Sequence, residues 1–368
     1  MVTNLLWVLQ HPTPYNTYLL NQLGSRLGMD VEAVYRWPEL SSHPWSVLPA
    51  RHFGWRVVAR PGERDAELER RCATDHRTFI VFAGWRDRTI RPALMARARS
   101  RSPFAFWTDT PKTTGGLLRR VLDGAFVHFA RRAVTTLATG VPAVERYRAV
   151  GVPDDRLENF PFVVDPEHFG GALVVRSGRR AGGSVGFLIP ARLVDRLKGQ
   201  SVALEALRIA REHTQGVRLE LILAGVGPDG DRLRLVASEL HVADAVRFEG
   251  WVEYAAMPAL LGAVDALVLP SHWDPFPVAV IEAMAAGLPI IAGGIGPIAE
   301  LTDDGVEARF WPLDNPEQAA VIAVELLGSE EARAKAGTAA LERFRRDYSA
   351  AVLGPQIRSF LLDPAGVT

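Results

Sequence analysis

The chain has 368 residues, with 42 basic and 42 acidic side chains, 48% apolar and 23% charged residues. That balance is globular, and the length holds two domains of ordinary size. A single cysteine, Cys72, excludes a disulfide framework and a cysteine-based metal site, and no apolar run reaches the 18 residues of a membrane span. The apolar stretch Leu5–Leu9 is too short for a signal segment, so the expectation is a cytoplasmic protein. The zero net charge hides an asymmetry. Residues 1–170 carry 23 Lys+Arg against 17 Asp+Glu, and residues 171–368 carry 19 against 25. A basic first half suits an anionic partner or a membrane surface, and is also what ordinary surface charge gives.

In chain order, Leu5-Leu-Trp-Val-Leu9 is a continuous apolar run, the pattern of a strand buried on both faces. His11-Pro-Thr-Pro-Tyr15 is a loop, Asn16–Leu27 a helix and Val31–Tyr35 the next strand. Phe79–Ala83 and Phe104–Trp107 are further strands, with an Arg-rich helix, Ile90–Arg99, between them. Leu117–Ala133 is a helix carrying Arg119, Arg120, Arg131 and Arg132, a solvated face or a membrane-docking one. Val134–Ala138 follows as a strand. Strand alternating with helix implies a parallel sheet covered on both faces.

The glycine-rich stretch from Gly170 to Ser184 interrupts the alternation and marks a domain boundary, giving domains 1–170 and 171–347 with a tail, 348–368, that packs back on the first. The alternation then restarts. Strands fall at Val185–Pro190, Leu219–Ala224 and Val246–Phe248, and helices at Gln200–Arg211, Asp231–Leu240 and Ala255–Leu261. Leu267–Pro270 ends a strand, Ser271–Pro277 is a loop, Val278–Ala286 is a buried helix stopped by Gly287, and Leu288–Ala292 is a strand.

Asp274 and Glu282 sit eight apart across that loop and helix. A helix rises about 1.5 Å per residue, so Glu282 lies roughly 6 to 7 Å above the helix start and Asp274 just before it. Carboxylates staggered along a helix N-terminus suit a ligand bearing both hydroxyls and phosphate. Two other patterns invite overreading. Gly225-Val-Gly-Pro-Asp-Gly230 fits a dinucleotide fingerprint, but it does not open the domain's first strand–helix unit. Asp229-Gly-Asp231 resembles a metal-binding acid pair, but it lies in a turn at a helix start, where Asp is favoured as a cap.

Asp274-Pro-Phe276-Pro277-Val278, Glu282, and Ala283-Met-Ala-Ala-Gly-Leu-Pro289 resemble the E-x7-E signature of retaining GT-B glycosyltransferases of family 4. Pro190-Ala-Arg192-Leu-Val-Asp-Arg-Leu-Lys198-Gly199 resembles that family's Gly-Arg-Leu-x4-Lys-Gly loop. The resemblance implies two Rossmann-like α/β domains with parallel sheets facing a central cleft. It implies a nucleotide-diphosphate sugar as donor and a hydroxyl acceptor: a glycan, a lipid-linked compound or a small molecule. It implies no cofactor, no metal and no nucleic acid. Arg192 and Lys198 would hold the diphosphate, Asp274 the sugar and Glu282 the ribose, with Gly225, Gly227, Phe276, Pro277 and Val278 completing the donor wall. Gly296, Pro297 and Glu300 align with the segment that follows the signature. Two departures stand out. Asp replaces the usual Glu at position 274, and Pro277 replaces a Gly and removes an N–H. The family's acceptor-side His is absent after Phe104–Trp107, where Thr108 and Asp109 stand. Asp109, with His11 beside it as a weaker candidate, is left to orient or deprotonate the attacking hydroxyl, or simply to shape a turn. The segment Phe160–Phe169 resembles the one that closes the family's first domain. A sugar-nucleotide epimerase of the same fold and a non-catalytic sugar-nucleotide-binding protein remain as rival readings.

Overall fold

The computed structural model describes residues 4–38, 45, 49–58, 62–85, 87–109, 117–177, 184–214, 217–353 and 355–356. The chain divides into two compact units, residues 1–164 with 348–368, and residues 165–347.

The first unit runs β1 (Asn4–Leu9), α1 (Pro14–Leu27), β2 (Asp30–Tyr35), β3 (Gly54–Val57), α2 (Ala66–Thr74) and β4 (Thr78–Phe82). It continues through α3 (Ile90–Arg99), β5 (Phe104–Thr108), α4 (Leu117–Ala130), β6 (Thr136–Ala138), α5 (Val141–Ala149) and β7 (Leu157–Asn159). All seven strands pair in parallel, in the order β3-β2-β1-β4-β5-β6-β7. The apolar run of β1 explains its central place. Leu5, Trp7 and Leu9 turn to one face and pack with Leu19, Leu20 and Leu23 of α1. Leu6 and Val8 turn to the other and pack with Leu68 of α2 and Ile90 and Leu94 of α3. A strand covered on both faces has no polar alternation to display. Helix α1 starts where Thr13 caps the Asn16 N–H at 3.1 Å and Pro14 occupies the first turn, and it stops at Gly28, in the left-handed region at φ 61.

The second unit runs α6 (Pro166–Ser177), β8 (Ser184–Pro190), α7 (Asp195–Lys198), α8 (Gln200–His213), β9 (Arg218–Ala224), α9 (Gly230–Glu239) and β10 (Val246–Gly250). Then come α10 (Met257–Gly262), β11 (Ala266–Leu269), α11 (Val278–Ala285), β12 (Ile290–Gly293), α12 (Gly296–Leu301), β13 (Ala308–Trp311), α13 (Pro316–Gly328) and α14 (Glu330–Arg343). Its six strands are also parallel, in the order β10-β9-β8-β11-β12-β13.

The glycine-rich stretch behaves differently from the linker it resembles. Gly170 and Gly171 lie inside α6, and the units part at 164/165, not at 170/171. The close crossing of α6 with α10 rests on a glycine of α10, since a Cβ on Gly170 would meet nothing within 4 Å and one on Gly171 only the Pro258 side chain at 3.8 Å. A Cβ on Gly262 of α10 would meet the Val175 side chain at 2.6 Å and the Ala172 carbonyl at 2.7 Å. Arg176 ties the end of α6 to the rest of the second unit by donating to the carbonyls of Ala286 and Gly287 at 3.1 and 2.8 Å. Residues 178–183 lie outside the described residues, as do most of the tail and the side chains of Arg119 and Arg120. The described start of the tail places Leu353 in the core of the first unit, beside the Leu5 and Trp7 face of β1.

Candidate functional site

In the second unit β8 has β9 on one side and β11 on the other. Chain order reverses there, so the loops after β8 and β11 flank the crevice where open α/β sheets bind ligands. Both loops carry predicted site residues, and they are laced together. The N–H groups of His272 and Trp273 donate to the Leu197 carbonyl at 3.0 and 3.2 Å. Gly199, at φ 63, lies so close that a Cβ would stand 2.0 Å from the Pro270 carbonyl oxygen. The loop after β9 joins from the other side. Leu193 donates to the Val226 carbonyl at 3.1 Å, and Asp229 donates back to the Leu193 carbonyl at 3.1 Å. Gly225 and Gly227 have a packing reason to be glycine, since Cβ atoms there would come within 2.1 and 2.3 Å of the carbonyls of Ala191 and Leu193.

This lacing brings Lys198 and Asp274 together. The ammonium Nζ lies 2.5 Å from Asp274 Oδ2, with the two side chains 18% and 15% exposed. The other Asp274 oxygen accepts the Phe276 N–H at 3.2 Å, which fixes the turn into α11. Phe276 and Pro277 are buried beneath that turn, and Val278 is the first residue of the helix. Glu282 follows in the second turn, part-accessible yet closely enclosed, and burial pushes its carboxyl up to about 7. Its carboxylate has no hydrogen-bond or ion-pair partner among the described residues. The Arg192 guanidinium is exposed and is likewise without one.

Asp229 departs from its expected capping role. It occupies the N-cap position of α9 without a capping bond, and its Oδ2 accepts the Asp195 backbone N–H at 2.7 Å. Asp195 in turn caps α8 through the Ser201 N–H at 2.7 Å and pairs with Arg232, partners that hold its carboxyl below the usual range against the opposing effect of burial. These acids brace loops. Glu300, in α12, gives its backbone carbonyl to Arg343 at 3.2 Å.

The sequence did not single out Gln200 or His272. Gln200 is fully buried at the start of α8, and its Nε2 donates to the Arg192 carbonyl at 2.8 Å, which sets the loop that bears Arg192. His272 pairs through Nε2 with Asp314 at 2.7 Å, anchoring the loop that bears Asp274. A polar residue on the buried side of an apolar helix start is the one signal that pointed to Gln200.

The first unit has a site of its own. A cavity of about 720 Å³ opens at the carboxyl ends of β1, β4 and β5, again where chain order reverses. It brings together His11, from the loop after β1, and Asp109, which follows β5. His11 is buried and stacks on Trp45, ring centroids 5.7 Å apart. The Asp109 backbone carbonyl accepts from the Tyr147 hydroxyl at 3.0 Å, and Tyr147 also meets Thr108 Oγ1 at 2.9 Å. Aromatic rings, Trp85, Trp107 and Phe126 among them, supply much of the wall.

Two parallel Rossmann-like units in succession, each with its residues gathered at the reversal point of the sheet, define the GT-B fold. Residues 177–343, the greater part of the second unit, match the family described as Glycosyl transferases group 1. The chain is 26% identical over 223 residues to the putative colanic acid biosynthesis glycosyltransferase WcaL of Salmonella typhimurium, covering 59% of this chain and only 53% of that protein. It is 28% identical over 341 residues to a GDP-mannose-dependent α-(1-6)-phosphatidylinositol monomannoside mannosyltransferase of Mycobacterium tuberculosis, covering 85% of this chain and 84% of that one. Among solved structures, Anabaena HepE in complex with UDP superposes with a TM-score of 0.75 at 17% identity, over 97% of this chain and 99% of that one, a likeness of fold.

Proposed function

We propose that the chain is a retaining, metal-independent glycosyltransferase of family 4 that moves a sugar from a nucleotide-diphosphate sugar to an acceptor hydroxyl. The observation that carries this reading is the Lys198–Asp274 pair at the reversal point of the second sheet, flanked by the exposed Arg192 and by Glu282. The diphosphate takes the Arg192 fork and the Lys198 point charge, two cations with different geometry for one spread of negative charge. The donor competes with Asp274 for the ammonium and frees that carboxylate to hold sugar hydroxyls. Glu282 takes the ribose. As the sugar–phosphate bond breaks, charge grows on the bridging oxygen, and a preorganised ammonium there is worth more in the transition state than before it. The departing phosphate accepts the acceptor's proton on the same face, with Asp109 orienting the hydroxyl. A role in envelope-glycan or secondary-metabolite synthesis in a GC-rich bacterium fits a chain with 39 Arg and 3 Lys. A cytoplasmic location fits a chain in which, among the described residues, no helix is long and apolar enough to cross a membrane.

The test is a thermal-shift screen of sugar nucleotides, followed by turnover of any hit in EDTA, with and without acceptor sugars. The relatives' names put GDP-mannose and UDP-sugars first. A ligand that binds only the native state raises its melting temperature. Transfer with retained anomeric configuration in EDTA is the expected result. Isomerised donor without acceptor would make the chain an epimerase, and binding without turnover would make it a binding protein. Activity restored only by magnesium or manganese would end the metal-independent reading.

A further inference from the structure

Among the described residues, three other than glycine hold a left-handed backbone: Arg101, His241 and Asp314. Asp314, at φ 61, lies in the loop between β13 and α13. An aspartate enters that region more readily than most residues, but still at a cost. Its exposed carboxylate meets His272 Nε2 at 2.7 Å. A carboxylate oxygen only accepts, so Nε2 is the nitrogen that carries the proton. An exposed pair of this kind adds little stability. The imidazole carries a second cost. Its Nδ1 is buried with no hydrogen-bond partner among the described residues, and a buried polar atom left unpaired weakens a fold. Backbone strain and an unpaired ring nitrogen thus meet in one contact that folding alone does not favour. Such features gather where position matters more than stability.

His272 sits where three loops meet. Its backbone N–H donates to the Leu197 carbonyl at 3.0 Å, and its ring Cε1 lies 3.2 Å from where a Cβ on Gly199 would stand. Leu197 and Gly199 flank Lys198. Two residues beyond His272 comes Asp274, whose Oδ2 lies 2.5 Å from the Lys198 ammonium. The third loop, after β13, brings Asp314. That loop is seated on the end of β12, where a Cβ on Gly293 would come 2.4 Å from Leu313 Cδ2. It is closed on its far side by Asn315, which caps α13 through the Gln318 N–H at 2.9 Å. The imidazole therefore spans from the backbone around Lys198 to a seated anchor. A lysine stem is flexible, so the distance from its ammonium to Asp274 depends on how firmly the two loop backbones are held.

We infer that His272 and Asp314 are positioning residues: the imidazole, held at Nε2 by Asp314, fixes the Lys198 and Asp274 loops against each other and so sets the geometry of that pair. Both act through Lys198 and Asp274, not on the reacting atoms. The consequence for glycosyl transfer rests on the function proposed above; the effect on Lys198 does not.

The experiment uses the scarcity of lysine. The chain has Lys112, Lys198 and Lys335 and no others, so lysine labelled with carbon-13 at Cε gives an NMR spectrum of the full chain in which Lys198 is assigned by its loss in Lys198→Arg. Asp274→Asn marks the position of the unpaired ammonium. In His272→Ala and in Asp314→Gly the Lys198 signal moves most of the way to that mark, while the signals of Lys112 and Lys335 stay. Asp314→Gly melts close to the parent, since glycine relieves the left-handed strain and offsets what the lost pair contributed. Asp314→Asn and His272→Gln, which keep an acceptor and a donor, leave the signal nearer its parental place. With a sugar nucleotide found by the thermal-shift screen, turnover of His272→Ala and Asp314→Gly falls roughly ten- to hundredfold with KM little changed, the mark of bound groups held out of place. A Lys198 signal that stays at its parental position in both variants overturns the inference. So does a moved signal with parental turnover, and in that event the proposed function stands without it. If no nucleotide binds the parent, the proposed function falls, and the Lys198 signal still decides whether His272 and Asp314 position Lys198.

Discussion

The two units share a topology and differ in what they place at its reversal point. In each sheet the first strand lies between the second and the fourth in order of appearance, and the residues of interest stand on the loops at that gap. The second unit fills the gap with Lys198, Arg192 and Asp274, a set suited to phosphate and hydroxyls together. Among the described residues the first fills it with aromatic rings and with hydroxyl and amide groups. The sheet decides where a ligand sits, and loop chemistry decides which ligand it is.

The sharpest way to break the comparison is at Lys198. Removing one preorganised contact to a leaving group costs roughly 2.7 to 4 kcal/mol, about 100- to 1,000-fold in turnover. Lys198→Ala is expected to lose that much rate while keeping its fold, and Lys198→Arg to recover only part, since a planar fork is not a point charge. Turnover and melting curves check this together, and a variant that kept more than about a tenth of the parental rate would contradict it.

Two glycines compare the units directly. Gly28 and Gly199 have nearly the same left-handed backbone, φ 61 and 63, but Gly28 has open space where a Cβ would go and Gly199 has the Pro270 carbonyl at 2.0 Å. Gly28→Ala should cost about 1 to 2 kcal/mol, the ordinary strain of an L-residue there. Gly199→Ala should cost more, on the order of 3 kcal/mol or above, because backbone has to move. It should also weaken nucleotide binding, since the laced loops move with it. Urea unfolding of both variants measures the difference, and equal costs would mean that the lacing is slack.

The last effect is read from pH. With its carboxyl pushed up to about 7, Glu282 binds a proton in the folded chain that an unfolded chain releases near its ordinary value of 4.5. Its contribution to stability is therefore largest at low pH and declines as pH rises from about 4.5 to 7, by at most about 1.4 kcal/mol per pH unit. Glu282→Gln should flatten that decline and melt higher than the parent at pH 8. Ribose hydroxyls donate to an ionised carboxylate, so nucleotide affinity should rise in the parent between pH 6 and 8 and stay flat in the variant. An affinity that rose in both would remove Glu282 from the ribose.

Much of the second unit's loop cluster was legible in the sequence for a physical reason. Strands buried on both faces write themselves as unbroken apolar runs, as in Leu5–Leu9 and Val185–Pro190, and the loops that follow such runs keep Arg192 with Lys198 in one local pattern and Asp274 with Glu282 in another. What escaped lacked a local pattern. The edge strand β3 is four residues long, with Trp55 exposed. Helix α6 hid behind Gly170 and Gly171, which read as a break yet lie inside it. His272 finds Asp314 42 residues away. The cavity of the first unit is assembled from loops after several strands, so Asn16, Trp107 and Thr139 share a wall without sharing a spacing. Asp109 was legible only because a familiar residue was missing at its position.

The division of labour between the two reversal points is most directly tested by calorimetric titration of UDP and GDP into the parent chain, the Arg192→Ala/Lys198→Ala double variant and Thr139→Val. The account predicts binding of at least one nucleotide to the parent, unchanged binding to Thr139→Val, and loss of at least about tenfold in the double variant, 1.4 kcal/mol or more. A double variant that bound nucleotide as the parent does, or a Thr139→Val chain that lost it, would place the diphosphate somewhere other than the second unit's loops and contradict the account.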